Sequence, residues 1–258
     1  MTRSGDRLRA DAIAVAGLPA RVVARCGSTN TALLEETHPG PLLLAAEAQT
    51  AGRGRRGRRW RSAPGAGATF SILRRMRCAP AALSGLSLAV GVAAARALRA
   101  LGAVATQVKW PNDLVVGEAK LGGILIETRI SAGETVAVVG IGINCRRDPA
   151  LAGRLRRRVA ALDDYLQPAA SRNAVITAVA REVMAALERF EREGLAPFAA
   201  EWSALHAFEG ERLKLRLADG RTLSGRAHGI AASGALRLAT ARGMREVVSG
   251  RIVQARSA

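Results

Sequence analysis

The sequence predicts an α+β protein in two unequal parts, a larger domain of strands and packed helices followed by a small all-β domain. Three observations carry this. Short apolar runs recur along the first 200 residues with turn signals between them, two long segments repeat apolar residues every three or four positions, and beyond Glu211 only short alternating runs remain. The length, 258 residues, suits one large domain with an appendage at ~100–200 residues per domain. Hydrophobic residues make up 49% of the chain and charged ones 23%, which excludes a mostly disordered polypeptide.

Residues 1–19 read as a polar, mobile lead-in. The larger domain spans 20–207 and opens with a short strand at Arg21–Cys26. Ser28-Thr29-Asn30 is a helix-start signal ahead of Leu33 and Leu34. Pro41–Ala48 is a buried strand, Ala51–Arg61 a Gly/Arg loop, and Thr69–Leu73 another strand. Leu86, Val90, Ala94 and Leu98 mark a helix over Leu83–Leu101. Three strands follow, Gln107–Val116, Leu121–Ile130 and Thr135–Asn144, with Gly117-Glu118 as the turn between the first two. Ile176, Val179, Val183, Ala186 and Phe190 place a second long helix over Ala174–Phe190, and Pro197–His206 is a short third one. The boundary falls near Ala207–Gly210. In residues 208–258, Leu213, Leu215 and Leu217 alternate up to an Asp219-Gly220 hairpin turn. Ala235–Ala239 and Glu246–Val253 continue the pattern of a small β-barrel.

The formal net charge is +18, which first points to nucleic acid or an acidic partner. However, 36 of the 39 basic residues are Arg, and the only lysines are Lys109, Lys120 and Lys214. Much of the bias therefore belongs to an Arg- and Ala-rich genome. Six arginines lie between Arg53 and Arg61, and six more between Arg146 and Arg158 are opposed only by Asp148. Cys26, Cys78 and Cys145 cannot all pair and lack metal-ligand spacing, which indicates a reducing compartment. No apolar run reaches the ~20 residues of a membrane span, and the charged N-terminus has no signal-peptide core. The expectation is a cytoplasmic protein.

The strongest single motif is Gly52-Arg53-Gly54-Arg55-Arg56-Gly57-Arg58-Arg59-Trp60. Its glycines allow close backbone approach to a ligand, its arginines offer forked donors for phosphate or carboxylate, and its tryptophan can stack on a base. Gly52 and Gly57 have P-loop spacing, but Arg58-Arg59 replaces the Lys-Ser/Thr that such a loop needs. A solvated basic loop is the alternative. Lys109-Trp110-Pro111-Asn112-Asp113 leads through the turn to Lys120-Leu121-Gly122-Gly123. A two-residue turn would set Val116 against Ala119 and Asn112-Asp113 against Gly123-Gly122, with bare backbone beside polar side chains. Gly140-Ile141-Gly142-Ile143-Asn144 fits ligand approach or close packing between backbones equally well. Ser28-Thr29-Asn30 is a polar ligand site or a plain N-cap, and Gln49 can donate to and accept from an amide or ureido group. His38, His206 and His228 join no Cys or Asp motif, so serine-hydrolase and zinc chemistry lack support.

Taken in order, Ser28-Thr29-Asn30, Gln49, Gly52–Gly57, Lys109–Asp113, Lys120–Leu125 and Gly140–Asn144 resemble the bacterial biotin protein ligases, over roughly residues 20–255. The resemblance implies a mixed β-sheet catalytic domain of the class II synthetase-like biotin–lipoate ligase fold, plus an SH3-like barrel. It implies ATP and biotin as substrates with Mg²⁺, biotinyl-5′-AMP as intermediate, and transfer to a lysine of a biotin carboxyl carrier protein. It places Ser28, Thr29, Asn30, Gln49, Gly52, Arg53, Gly54, Arg55, Lys120, Gly122 and Gly123 around biotin. Arg55, Arg58, Trp60, Asn112 and Asn144 would meet ATP. Lys120 and Arg55 would be catalytic, with Lys109 and Asp113 assisting; the Mg²⁺ ligands stay unassigned. Gly27 stands where the family commonly has an acid. Only 27 residues precede Ser28, too few for a ~60-residue winged helix-turn-helix. The expectation is a ligase without repressor function, binding neither DNA nor membrane. Ligand-linked homodimers occur in the family, and no edge strand here identifies an interface. A nucleic-acid-binding protein and a lipoate-type ligase are the competing readings.

Overall fold

The computed structural model describes residues 6–148, 153 and 158–256. Seven strands form the large sheet: β1 (Ala20–Cys26), β2 (Leu42–Gln49), β3 (Gly67–Met76), β4 (Gln107–Lys109), β5 (Asp113–Val116), β6 (Ala119–Ser131) and β7 (Glu134–Asn144). Their order is β1-β2-β3-β7-β6-β5-β4, parallel between β1 and β2 and antiparallel elsewhere, so the sheet is mixed. Helix α1 (Thr29–Glu35) covers one face, where Leu33 packs on Leu42, Leu44, Leu73, Val136 and Val138. Helices α2 (Leu86–Ala100), α3 (Arg172–Glu193) and α4 (Ala196–Leu205) close the other over Leu43, Phe70, Ile72, Val139 and Ile141. Central β7, buried on both faces, accordingly reads as an almost unbroken apolar run.

The sheet register decides where the site lies. Thr69, Gly142, Gly123 and Asp113 form one row across β3, β7, β6 and β5, Ser71, Gly140 and Leu125 the next, and Leu73, Val138 and Glu127 the third. With a side-chain period of two these positions share the α1 face. The expected strand Gln107–Val116 is two strands, because Trp110-Pro111-Asn112 reverses the chain and pairs Lys109 with Asp113. The following turn does set Val116 against Ala119, but the register shifts between Leu114 and Val115. Asp113 therefore faces Gly123, not Gly122, and Asn112 lies outside the ladder. The bulge puts Lys120 and Gly123 on one face although they are three residues apart.

Residues 6–19 do not behave as a free lead-in. Leu8, Ile13 and Leu18 are buried in the main core. Asp6 accepts from the Arg172 amide at 2.7 Å and pairs with Arg146 at 2.9 Å, while fully buried Arg172 meets Glu47 at 2.8 Å. The charges at Asp6, Arg7, Arg9 and Asp11 obscured three well-spaced apolar anchors. In the second basic block, Arg146, Arg147 and Arg158 are ion-paired with Asp6, Asp164 and Glu118; Arg154, Arg156 and Arg157 lie outside the described residues.

The small domain is an antiparallel sheet of β8 (Arg212–Leu217), β9 (Thr222–Ile230), β10 (Leu236–Thr240), β11 (Gly243–Val247) and β12 (Gly250–Arg256), ordered β11-β10-β9-β8-β12. Among the described residues β11 and β12 do not pair, so the expected closed barrel is an open sheet. It is fastened to the larger domain by Trp110 Nε1 donating to the Gly234 carbonyl at 3.2 Å and Ser84 Oγ to that of Ser233 at 2.7 Å. Among the described residues no helix is long and apolar enough to cross a membrane.

Candidate functional site

A cavity of about 500 Å³ opens on the α1 face of the sheet. Its polar end is built from the start of α1. Ser28 caps the helix, accepting from the Thr31 amide, and Thr29 donates its backbone N–H to Gln49 Oε1 at 2.7 Å. Buried Ser71 lies 2.7 Å from Thr29 Oγ1 and 2.6 Å from Asn30 Oδ1. One hydroxyl proton cannot serve both, so Ser71 donates to Asn30 and accepts from Thr29. Asn30 Nδ2 donates to the Leu125 carbonyl at 3.1 Å and to Glu127 Oε2 at 3.0 Å. The chain of bonds is satisfied and fixes every member.

The glycines of β7 now have a definite use. A Cβ on Gly140 would lie 2.1 Å from Asn30 Oδ1, and one on Gly142 2.3 Å from the Trp60 ring. They seat side chains rather than a neighbouring backbone, and they continue the stripe in which Val136 and Val138 carry Leu33.

Gly52–Trp60 folds back as a narrow hairpin over this floor. The Trp60 amide donates to the Gly52 carbonyl at 3.0 Å and the Gly54 amide to that of Arg58 at 2.7 Å. Its tip takes positive φ at Arg56 (55°) and Gly57 (69°), the latter suited to glycine. Arg53 pairs with Glu127 at 2.8 Å, and Arg56 donates to Ser249 Oγ in the small domain. Trp60 lies across Gly142 with Lys120 Nζ 5.9 Å from its ring centroid, and among the described residues its buried Nε1 has no hydrogen-bond partner. Burial holds the Arg55 guanidinium below its ordinary pKa, helped by Arg56 and Arg58 and opposed by Asp113. A desolvated cation of this kind favours an incoming anion.

Lys120, re-aimed by the bulge, is ion-paired with Asp113. Lys109 Nζ lies 5.1 Å from the Phe208 ring centroid. Gly250–Val253 of β12 complete the wall from the small domain. Among the described residues nine cationic side chains line the cavity against the carboxylates of Asp113 and Glu118, so it is electropositive. A nucleotide or an activated acid fits that field.

Residues 22–144 match the biotin/lipoate A/B protein ligase family, and residues 210–253 the biotin protein ligase C-terminal domain. Over 223 residues the chain is 34% identical to a biotin–[acetyl-CoA-carboxylase] ligase of Mycobacterium tuberculosis, covering 83% of this chain and 81% of that protein. The chain belongs to the biotin protein ligase family. It is also 40% identical over 222 residues to the bifunctional ligase/repressor BirA of Escherichia coli, covering 82% of this chain but only 66% of that relative's length. The biotin protein ligase of Aquifex aeolicus in complex with biotin and ATP superposes with a TM-score of 0.78 at 28% identity, over 93% of this chain and 99% of that one.

The biotin protein ligase motifs converge on this one cavity. Ser28, Thr29, Asn30, Gln49, Arg53, Gly54, Arg55, Arg58, Trp60, Lys109, Asn112, Asp113, Lys120 and Gly123 all line it. Three expected residues stand behind the wall. A Cβ on Gly52 would lie 2.6 Å from the Trp60 carbonyl oxygen, and one on Gly122 2.8 Å from that of Gly142. Asn144 is buried, and its Nδ2 donates to the carbonyls of Lys120 (3.2 Å) and Ala160 (3.1 Å), so it braces the lysine's backbone. Sequence reasoning missed Ser71, Glu127 and Gly250–Val253. Thr69 and Ser71, alternating polar positions in an apolar strand, were an available signal. Glu127 and β12 offered none, because their placement depends on pairing across the sheet and between domains.

Proposed function

We propose that this protein is an ATP-dependent ligase that condenses biotin with ATP to biotinyl-5′-AMP and pyrophosphate, then passes the biotinyl group to the lysine of a biotin carboxyl carrier domain. The observation that carries the reading is the placement of the Lys120–Asp113 pair in one cavity with the closed polar network of Thr29, Asn30, Gln49 and Ser71, under an arginine hairpin. The network supplies fixed donors and acceptors for a ureido head group. Lys120, held by Asp113, meets the carboxylate and the α-phosphate, its ammonium neutralising charge as the carboxylate oxygen attacks phosphorus. Arg53 and Arg55 cover the adenylate until the carrier amine attacks its carbonyl carbon and AMP departs. Arg58, Trp60 and Asn112 serve the nucleotide, Lys109 its phosphates, and Asn144 holds Lys120 in place.

Mg²⁺ would come with the ATP substrate and neutralise charge on its phosphates. Among the described residues no three His, Cys, Asp or Glu gather into a metal-holding group, and a cation carried largely by phosphates and water needs only one or two carboxylates. We read residues 20–207 as the catalytic unit, residues 208–258 as an SH3-like module despite its open ladder, and the cytoplasm as the site of action. The test is biotin-dependent exchange of labelled pyrophosphate into ATP by purified protein, with lipoate and no acid as parallel arms. Exchange with biotin alone is expected; none with folded protein, or exchange with lipoate instead, refutes the reading.

A further inference from the structure

The third row of the site face holds a residue out of keeping with its neighbours. Glu127 shares that row with Leu73 and Val138, yet its side chain is only 21% exposed and both oxygens are engaged. Oε2 accepts from Asn30 Nδ2 at 3.0 Å, and Oε1 lies 2.8 Å from Arg53 Nη2. Asn30 is deeply buried, whereas the Arg53 side chain is 48% exposed at the base of the hairpin. One carboxylate thus joins the floor of the head-group pocket to its cover.

We propose that Glu127 is a positioning residue, setting which pole of the Asn30 amide faces the pocket and anchoring the arginine hairpin above it through Arg53; this deepens the ligase reading and rests on it. The amide nitrogen meets two acceptors on one side, the Leu125 carbonyl and Glu127. A flipped amide would set oxygen against both. Asn30 Oδ1 is consequently turned toward Ser71 and the space above Gly140, as an acceptor for a ligand N–H. On the outer side, Arg53 Nη1 also donates to Thr31 Oγ1 at 3.3 Å. The hairpin's first arginine therefore lands on α1 and on the group that orients α1's buried asparagine. A well-oriented pocket and a closed hairpin stabilise one another.

The test compares Glu127→Gln and Glu127→Ala in the full chain. Three quantities are read: the KM for biotin against kcat in pyrophosphate exchange, the rate of biotinyl-AMP release, and amide hydrogen exchange of residues 52–60 without ligand. Glu127→Ala removes a buried charge-assisted acceptor and is expected to raise the biotin KM about tenfold or more. Glu127→Gln keeps one oxygen, which the buried Asn30 amide claims ahead of half-exposed Arg53. Its biotin KM is expected to stay within about threefold of wild type, while the hairpin exchanges faster and biotinyl-AMP leaves about two- to fivefold sooner. Unchanged hairpin exchange in Glu127→Gln overturns the anchor. A Glu127→Ala protein that loses only kcat or thermal stability at unchanged biotin KM overturns the orienting role. If the wild type itself shows no biotin-dependent exchange, the ligase reading fails, and the ligand-free hydrogen-exchange arm still decides whether Glu127 holds the hairpin.

Discussion

Replacing Gly140 by alanine adds a single carbon to the middle of the sheet, and the structure says what that carbon meets. It would stand 2.1 Å from Asn30 Oδ1, 2.8 Å from Cγ and 3.1 Å from Nδ2. Strand β7 is paired on both sides, to β3 and β6, so it cannot retreat. Asn30 must yield, and it is held by Ser71, the Leu125 carbonyl and Glu127. Losing one neutral and one charge-assisted bond costs about 2.5–4 kcal/mol. A ligand must restore the displaced geometry, so biotin is expected to bind about 70- to 900-fold more weakly by calorimetry. Gly142→Ala is the control. Its methyl meets the Trp60 indole at 2.3–2.7 Å, but that ring belongs to a surface hairpin that can tilt away. Biotin affinity should hold within about threefold, and the KM for ATP should rise. Equal losses in both variants, or wild-type biotin affinity in Gly140→Ala, refute this account of the glycine stripe.

Three further outcomes are expected. Lys120→Ala should lower biotin-dependent pyrophosphate exchange by about 10²–10³-fold, while fluorescence titration finds biotin still bound with at most a modest loss. Arg172→Leu should destabilise the fold by about 3–5 kcal/mol in urea melts, because it leaves Asp6 and Glu47 without the fully buried cation between them. The approach of His206, at 3.5 Å, and the Gly229 N–H, at 2.8 Å, hold the Glu209 carboxyl below its ordinary value near 4.5. A depressed carboxylate stabilises the fold above its unfolded pKa and loses that contribution as pH falls through the folded value. Glu209→Gln should therefore lower the urea midpoint at pH 7 and converge with wild type only as pH falls through the depressed value of the Glu209 carboxyl.

The elements were legible because each obeys one period: α2 and α3 extend within three residues of where their apolar stripes place them. Lysine scarcity singled out Lys109 and Lys120, and both stand in the cavity. What escaped reading depends on register or on distant partners. The bulge that turns Lys120 toward Asp113 inserts one residue into a ladder that alternation alone would run straight. Gly140 and Gly142 gain meaning only once they are opposite Ser71 and Thr69 and beneath Asn30 and Trp60. Glu127 looks like any exposed strand residue until β6 is laid beside β7 under α1. Residues 6–19 look solvated because their charges outnumber three anchors whose core is built by segments far along the chain.

Strand β12 also bears on how the site comes into being. The cavity wall runs from Ser28 to Val253, so its last piece is translated after every other part of the wall. A nascent chain that has emerged through α3 already carries the arginine hairpin, Lys120 and Asp113, yet stands open on the side that Gly250–Val253 will occupy. Arg56 likewise has no Ser249 to hold. On the proposed ligase reading, an acyl adenylate formed on such a half-built site would escape onto nearby amines. Drawing one wall from Gly250–Val253 ties closure of the site to a strand made after every other part of it.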